Sequence, residues 1–581
     1  MNMFLPSCKE IACVLVACGW LACGQPAPEA EHSARTQTQN TVVFTDVTQE
    51  AGISFEHHNG RSGRKYLPET LGSGCAFFDY DNDGLPDIFL VNSKPWSGSA
   101  EGISSKLFRN LGAGRFEDVT EAAGLDAPMY GMGVAAADYD NDGFSDLYVT
   151  VLDGDRLFRN QGNGAFRDVT ESAGIDNARF GTSAAWFDYD LDGHLDLLVA
   201  NYVQWSADED LWCSMDGSTK TYCTPESYRG QPSVLYRNRG DGTFEDVSAR
   251  AGVDDPTAKA LGIAIFDYDS DGLPDIFQAN DTQPNKLYRN EGDGTFSEHG
   301  VSAGIAYAED GKARGAMGVD AADYDRSGRF HLLVGNFANE MLNLFHNEGN
   351  GLFVDEAPTS QIGRDSLLSL TFGAFFFDYD LDGHADIFCA NGHLDEEIEI
   401  VQPAVKFAQA PLLFHNDGRG GFELVPPESG KDLAAPLVGR GAAYADYDRD
   451  GDLDILITTN DGPAKLLRND GGNANNYLRV RLEGSESNRS GLGTVLTLGS
   501  ASGQQRQVVR GGSSYCSQSE IVATFGLGAD TAVEFLEAHW PSGRIDRLEG
   551  LEPNREIVLS EGGAVRAAFA YLRVNSRSRS N

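Results

Sequence analysis

Residues 78–87 read FDYDNDGLPD and place aspartates at 79, 81, 83 and 87 around Gly84, with the apolar runs CAFF before and IFLV after. The pattern returns as DYDNDGFSD from Asp138, DYDLDGHLD from Asp188, DYDSDGLPD from Asp267, DYDLDGHAD from Asp378 and DYDRDGDLD from Asp446. Another copy, DYDRSGRFH from Asp323, carries Ser327 and His331 where the others carry aspartate. Successive copies lie 59, 50, 79, 56, 55 and 68 residues apart. Self-similarity at such a period constrains the architecture before any single element is considered.

Each aspartate loop is followed by an apolar run and then by a second motif. LFRNLGAGRFEDVTEAAGL begins at Leu107, and kindred stretches begin at Leu157, Leu235 and Leu287, with weaker ones at Leu344 and Leu413. Its N-x-G-x-G-x-F core is hairpin chemistry, because Asn and Gly tolerate positive φ. The unit therefore reads strand, aspartate loop, strand, longer loop, strand, hairpin, strand. Seven units of four short strands predict an all-β fold, a seven-bladed propeller over residues 42–472. The last unit stops at LLRNDGGNANN without its F-x-D-V-T strand, and FTDVTQEAGI stands unused at Phe44–Ile53. The N-terminal segment is thus expected to complete the last blade and remove an open edge.

Four carboxylates in one turn repel each other and raise each other's pKa. A cation at their centre offsets this. Loop positions one, three, five and nine, with the backbone carbonyl of position seven, form an all-oxygen shell of the kind Ca²⁺ prefers. The loop resembles the first part of an EF-hand loop without its Glu at position twelve, and between strands rather than helices. The expected ligands are Asp79, Asp81, Asp83, Leu85 and Asp87, then Asp138, Asp140, Asp142, Phe144 and Asp146, then Asp188, Asp190, Asp192, His194 and Asp196. The later loops offer Asp267, Asp269, Asp271, Leu273 and Asp275; Asp378, Asp380, Asp382, His384 and Asp386; and Asp446, Asp448, Asp450, Asp452 and Asp454. About six structural calcium ions follow, the Asp323 loop being set apart by Ser327 and His331.

The chain of 581 residues has a formal net charge of −42. Much of that charge stands in the loops, and nothing offers the basic patch that nucleic acid requires. Residues 1–23 contain IACVLVACGWLAC, an apolar stretch suited to an export signal and too short to span a bilayer. Cys18 and Cys23 are candidate lipidation sites, so that membrane contact would come only through a lipid anchor. Residues 24–41 read as a linker and 563–581 as a disordered polar tail. Cys213 and Cys223, in the polar stretch that lengthens the third interval, are expected to form a disulfide. Arg239–Asp241 spells RGD, but on variable positions of a hairpin; His57, His58 and His393 are expected to be packing residues or pocket linings.

The loops resemble the FG-GAP/VCBS repeats of integrin α-subunit propellers. NYLRVRLEGSESNRSGLGTVLTL from Asn476 and HWPSGRIDRLEGLEPN from His539 resemble the ASPIC/UnbV domain. Residues 474–562 therefore read as a small all-β domain, and the pair resembles the cartilage acidic protein family over roughly residues 42–561. The resemblance implies a calcium-binding, exported scaffold that is periplasmic, anchored at the outer membrane or extracellular and binds a protein or glycan ligand. The alternative is an enzyme using the axial pocket of the propeller, with the C-terminal domain as its lid. No G-x-S-x-G, H-E-x-x-H or P-loop occurs, and no catalytic residue is assigned.

Overall fold

The computed structural model describes residues 42–214, 217–426 and 430–570. The expected export signal with Cys18 and Cys23, the linker, and residues 571–581 of the expected tail lie outside them.

Seven four-stranded antiparallel sheets carry the seven aspartate loops. Their first strands are Cys75–Phe78, Gly131–Ala137, Gly181–Phe187, Ala260–Phe266, Val319–Ala322, Thr371–Phe377 and Gly439–Ala445. Each touches the next, and the last touches the first, so the sheets form a closed seven-bladed propeller. A strand at that position has neighbours on both faces, which is why these segments read as continuous small and apolar runs. Each aspartate loop joins the first strand of a blade to the second. The connection between second and third strands therefore lies on the opposite face.

The ring closes as the terminal motifs predict. Val43–Asp46 pairs antiparallel with the third strand of the seventh blade, Val43 opposite Asp470. The Thr48 hydroxyl accepts the Leu466 N–H at 2.8 Å, as the Thr120 hydroxyl accepts the Leu107 N–H at 3.0 Å in the first blade. The D-V-T motif thus clamps the third strand of its own blade, and in the seventh blade the N-terminal segment supplies it.

A second repeated contact joins neighbouring blades. The Asn side chain of each L-x-x-N motif donates to the backbone carbonyl of the Tyr at loop position two in the preceding blade. The seven pairs are Asn110–Tyr447, Asn160–Tyr80, Asn238–Tyr139, Asn290–Tyr189, Asn347–Tyr268, Asn416–Tyr324 and Asn469–Tyr379, at 2.7–2.9 Å. All seven Asn side chains are buried. Each of these Tyr rings also packs on a Phe near the start of the fourth strand of the following blade, from Tyr324–Phe422 at 5.3 Å to Tyr268–Phe353 at 6.3 Å. Tyr379 meets Phe44 in this way, which again places the N-terminal strand in the seventh blade.

The C-terminal domain holds two four-stranded sheets, in the orders Ala523–Gly528, Asn476–Glu483, Arg555–Ser560, Ala564–Ala570 and Gly503–Val508, Val495–Ser500, Val533–His539, Ile545–Glu549. The strand Ala564–Ala570 corrects the expectation of a disordered tail from residue 563: it pairs antiparallel with Arg555–Ser560 and extends the sheet by one edge strand. Between the two sheets the chain leaves the domain as the segment 510–520 and enters the centre of the ring. There it bonds to the first strands of six blades. Phe77 and Val134 donate their N–H groups to the carbonyls of Gln518 and Cys516 (both 3.1 Å), and Val319 donates to the Ser514 carbonyl (3.0 Å). The Gln518 amide pairs with both backbone groups of Ala136, at 2.8 and 2.9 Å. Cys516 N–H donates to the Ser183 hydroxyl, Ala374 N–H to the Ser514 hydroxyl and Tyr444 N–H to the Ser519 hydroxyl, at 3.0–3.1 Å.

Asn238→Ala removes a buried side chain and orphans carbonyls of two blades, each at a cost of about 1–3 kcal/mol. The expected outcome is a clear fall in Tm by calorimetry, matched by Asn290→Ala and absent in Asn163→Ala, whose side chain lies on an exposed hairpin tip.

Candidate metal centres on the loop face

The loops are built from three sets of hydrogen bonds. The residue at position four takes positive φ in all seven copies, at Asn82, Asn141, Leu191, Ser270, Arg326, Leu381 and Arg449, within 56–65°. Leu and Arg are strained there by roughly 1–3 kcal/mol, so the surrounding bonds must over-determine the turn. The glycine N–H at position six donates to the first aspartate, as Gly84 to Asp79 Oδ2 at 2.9 Å and Gly143 to Asp138 Oδ2 at 2.7 Å. The ninth aspartate, fully buried in all six intact loops, accepts two backbone N–H groups: Asp87 takes Tyr80 at 3.0 Å and Asn110 at 2.7 Å.

This brings the carboxylates at positions one, three and nine together. In the first three loops one oxygen of each lies within 4.8 Å of the others: Asp79, Asp81 and Asp87; Asp138, Asp140 and Asp146; Asp188, Asp190 and Asp196. The fifth-position aspartate is turned differently. Asp83 Oδ1 accepts the Leu85 N–H at 2.9 Å, and its other oxygen faces Arg109 at 3.5 Å. The expected role of Asp83, Asp142, Asp192 and Asp271 is thus shared with an arginine that sequence reasoning passed over. Arg109, Arg159, Arg237 and Arg289, from the L-x-R-N motif, each bridge positions three and five; Arg237 lies 2.7 Å from Asp190 and 2.9 Å from Asp192. Its recurrence before five of the seven hairpins was the available signal.

The donor set fits a hard cation. Asp79 Oδ1, Asp190 Oδ1 and Asp448 Oδ1 are buried without a hydrogen-bond partner, and an orphaned buried carboxylate oxygen is costly unless a proton or cation reaches it. Burial first, and neighbouring carboxylates after it, push Asp87 up to about 8, Asp146 to about 9 and Asp275 to about 8. In the sixth loop His415 stands at the arginine position, 3.3 Å from Asp386 and 3.7 Å from Asp380. Its contact with Asp386 raises it to about 9.

Position four also links neighbouring loops. Asn82 donates to the Gly143 carbonyl (2.7 Å), Asn141 to Gly193 (3.1 Å), Arg326 to Gly383 (2.6 Å), and Arg449 to Gly84 across the closure. The C-terminal domain covers this face. Arg481 lies 3.8 Å from Asp79 and Arg479 3.4 Å from Asp446, while Arg489 N–H donates to Asn141 at 2.9 Å. Between the domain and the loops two clefts of about 550 and 480 Å³ reach Asp267 and Asp271, and Asp79 and Asp83.

Among the remaining expectations, Cys213 is joined to Cys223, with Cα atoms 5.2 Å apart. Asp241 of the RGD tripeptide caps its own hairpin, accepting the Thr243 N–H at 3.0 Å. His57 and His393 are buried.

Residues 484–566 match the ASPIC and UnbV family, and residues 73–149, 150–199, 215–278 and 267–334 match FG-GAP-like repeats. The chain is an FG-GAP-like repeat protein with a C-terminal ASPIC and UnbV domain. It is homologous to cartilage acidic protein 1. It is 27% identical to the Homo sapiens protein over 520 residues, covering 87% of this chain and 66% of that one, and 28% identical to the Mus musculus protein over 354 residues, covering 60% and 49%. The chain therefore spans about half to two thirds of the length of these curated relatives. A solved structure of an Agrocybe aegerita lectin that recognises non-reducing terminal N-acetylglucosamine shares 17% identity at a TM-score of 0.37, covering 67% of this chain and 87% of that chain. That likeness carries nothing about what this chain binds.

Without a cation the folded chain holds protons on the ninth aspartates that the unfolded chain has released by pH 5. Stability then falls as pH rises from about 4 towards 8, because the folded state binds more protons than the unfolded one. In chelator, Tm is expected to drop between pH 5 and pH 8; with millimolar Ca²⁺ this slope is expected to shrink, as measured by scanning calorimetry.

Proposed function

We propose that this is an exported, calcium-stabilised propeller that acts as a binding or scaffold protein at the cell envelope or outside the cell. The orphaned, buried carboxylate oxygens of the loops carry the calcium part. Their ligands are oxygens alone, and low-affinity calcium modules work where the ion is millimolar. The ions would be structural: each would pin a turn held in strained backbone and offset the repulsion within it. Export is supported by the composition of residues 1–23 and by the pairing of Cys213 with Cys223.

The enzyme reading needs an open axial pocket. The segment 510–520 fills the axis from the loop side, which favours the scaffold reading. The face opposite the loops offers large exposed apolar side chains, including Trp212 at 68% and Ile400 at 80%. Both lie on connections between second and third strands, of the third and sixth blades. These exposed side chains support a reading in which a protein or glycan partner docks on that face.

The decisive experiment is thermal unfolding of residues 41–581 in millimolar Ca²⁺ and in chelator, with an ion count by plasma mass spectrometry. About six ions per chain and a Tm drop on the order of 10 °C or more in chelator are expected. No bound ion and no shift would remove the calcium reading. Trp212→Ala with Ile400→Asp is expected to leave the ion count unchanged and to weaken any ligand found on protein or glycan arrays at least tenfold.

A further inference from the structure

The fifth loop departs from the others in a coordinated way. In the six intact blades the N–H of the motif asparagine donates to Oδ1 of the ninth aspartate, as Asn110 to Asp87 and Asn469 to Asp454. In the fifth blade the corresponding Asn347 N–H donates to Nδ1 of His331 at 2.9 Å. A backbone N–H can only donate, so Nδ1 carries no proton and the neutral ring carries its proton on Nε2. That Nε2 lies 2.9 Å from Asp325 Oδ1.

His346 stands at the arginine position of the same blade. Its Nε2 lies 3.0 Å from Asp325 Oδ2 and its Nδ1 2.9 Å from Glu348 Oε1. Carboxylates on both sides make both nitrogens donors. Burial pulls His346 down, but its bonds to Asp325 and Glu348 outweigh burial and raise its pKa. The two imidazoles stack, with centroids 4.5 Å apart, and both oxygens of Asp325 are taken by N–H groups.

We propose that the fifth blade takes no ion: the N–H groups of His331 and His346 hold Asp325 in place of a cation. This rests on reading the six intact loops as cation sites. Asp323 Oδ1 is buried without a hydrogen-bond partner, like the orphaned oxygens of the intact loops. Burial first, and Asp325 after it, push Asp323 up to about 7, so a proton can stand there where the other loops would hold a cation. Zinc on Asp325, His331 and His346 is opposed by the same geometry. A lone pair on His331 Nε2 would require a proton on Nδ1, facing the N–H of Asn347.

The test compares the wild-type chain with the triple variant Ser327→Asp, His331→Asp, His346→Arg, counting Ca²⁺ and Zn²⁺ per chain. Six Ca²⁺ and no Zn²⁺ in the wild type, with seven Ca²⁺ in the variant, are expected. Seven Ca²⁺ in the wild type, or one Zn²⁺ lost on His331→Asp, would overturn the proposal. Nitrogen NMR of wild-type protein labelled at histidine decides independently of whether the variant folds or the other loops bind. An unprotonated Nδ1 and protonated Nε2 on His331, unmoved by Ca²⁺ or Zn²⁺, support the proposal; a protonated Nδ1 sinks it. No Ca²⁺ in either chain would withdraw the reading of the other six loops and leave the nitrogen spectrum to decide the fifth.

Discussion

The bond from each motif asparagine to the tyrosine carbonyl of the preceding blade holds the ring together. It is buried, it occurs seven times, and it spans a sheet-to-sheet boundary. Each asparagine serves three directions at once. Its side-chain amide reaches the preceding blade, its side-chain oxygen accepts an N–H of its own hairpin (Gly112 to Asn110 at 2.9 Å), and its backbone N–H fixes the ninth loop residue. Blade spacing, hairpin shape and the orientation of the loop carboxylate are thereby set by one residue. Geometry delivered this way is accurate because each asparagine is buried on a strand and uses its backbone and side-chain groups together.

The loops are electrostatically costly and positionally fixed. Their backbone is strained at position four, their ninth carboxylate is out of water, and arginine pairing satisfies only part of the rest. The chain solves this in three ways. The first four blades use an arginine from the third strand. The sixth uses His415 close to Asp386. The seventh lies under the C-terminal domain, where Arg479 approaches Asp446 while also bonding Glu520 at 2.8 Å. One backbone template is kept while its charge partners are exchanged.

Much of the fold was legible in the sequence. Repeat spacing, the F-x-D-V-T segment displaced to the N-terminus and the continuous apolar inner strands all exploit period and turn chemistry, which are local. The aspartate cluster was legible for the same reason. What escaped depends on contacts between distant segments. The arginine of L-x-R-N has no local mark of its role, because its partners lie in the aspartate loop about twenty to fifty residues before it. In the C-terminal domain no repeat marks the strands Ala523–Gly528 and Ile545–Glu549, and nothing local in RQVVRG shows that the strand stops at Val508, where the chain leaves the sheet. Arg440, in GRGAAYA, gives no hint that it is fully buried, donating to the carbonyls of Thr70 and Gly392 and lying 4.0 Å above the Phe372 ring. Burial of a charge is a tertiary property with no local pattern.

The segment at the centre of the ring has a consequence for assembly. Cys75 bonds Ser517 at a sequence separation of 442 residues, and the early strand Val43–Asp46 waits for the seventh blade. A chain emerging N-terminus first can close individual sheets as they appear, since most pairings within a blade are local. It cannot fill its axis until nearly all of it has been synthesised. Until then the inner strands face an empty centre, with their N–H and carbonyl groups unpaired. Until segment 510–520 enters the axis, the growing molecule is an open ring whose inner strand edges remain available to stray partners.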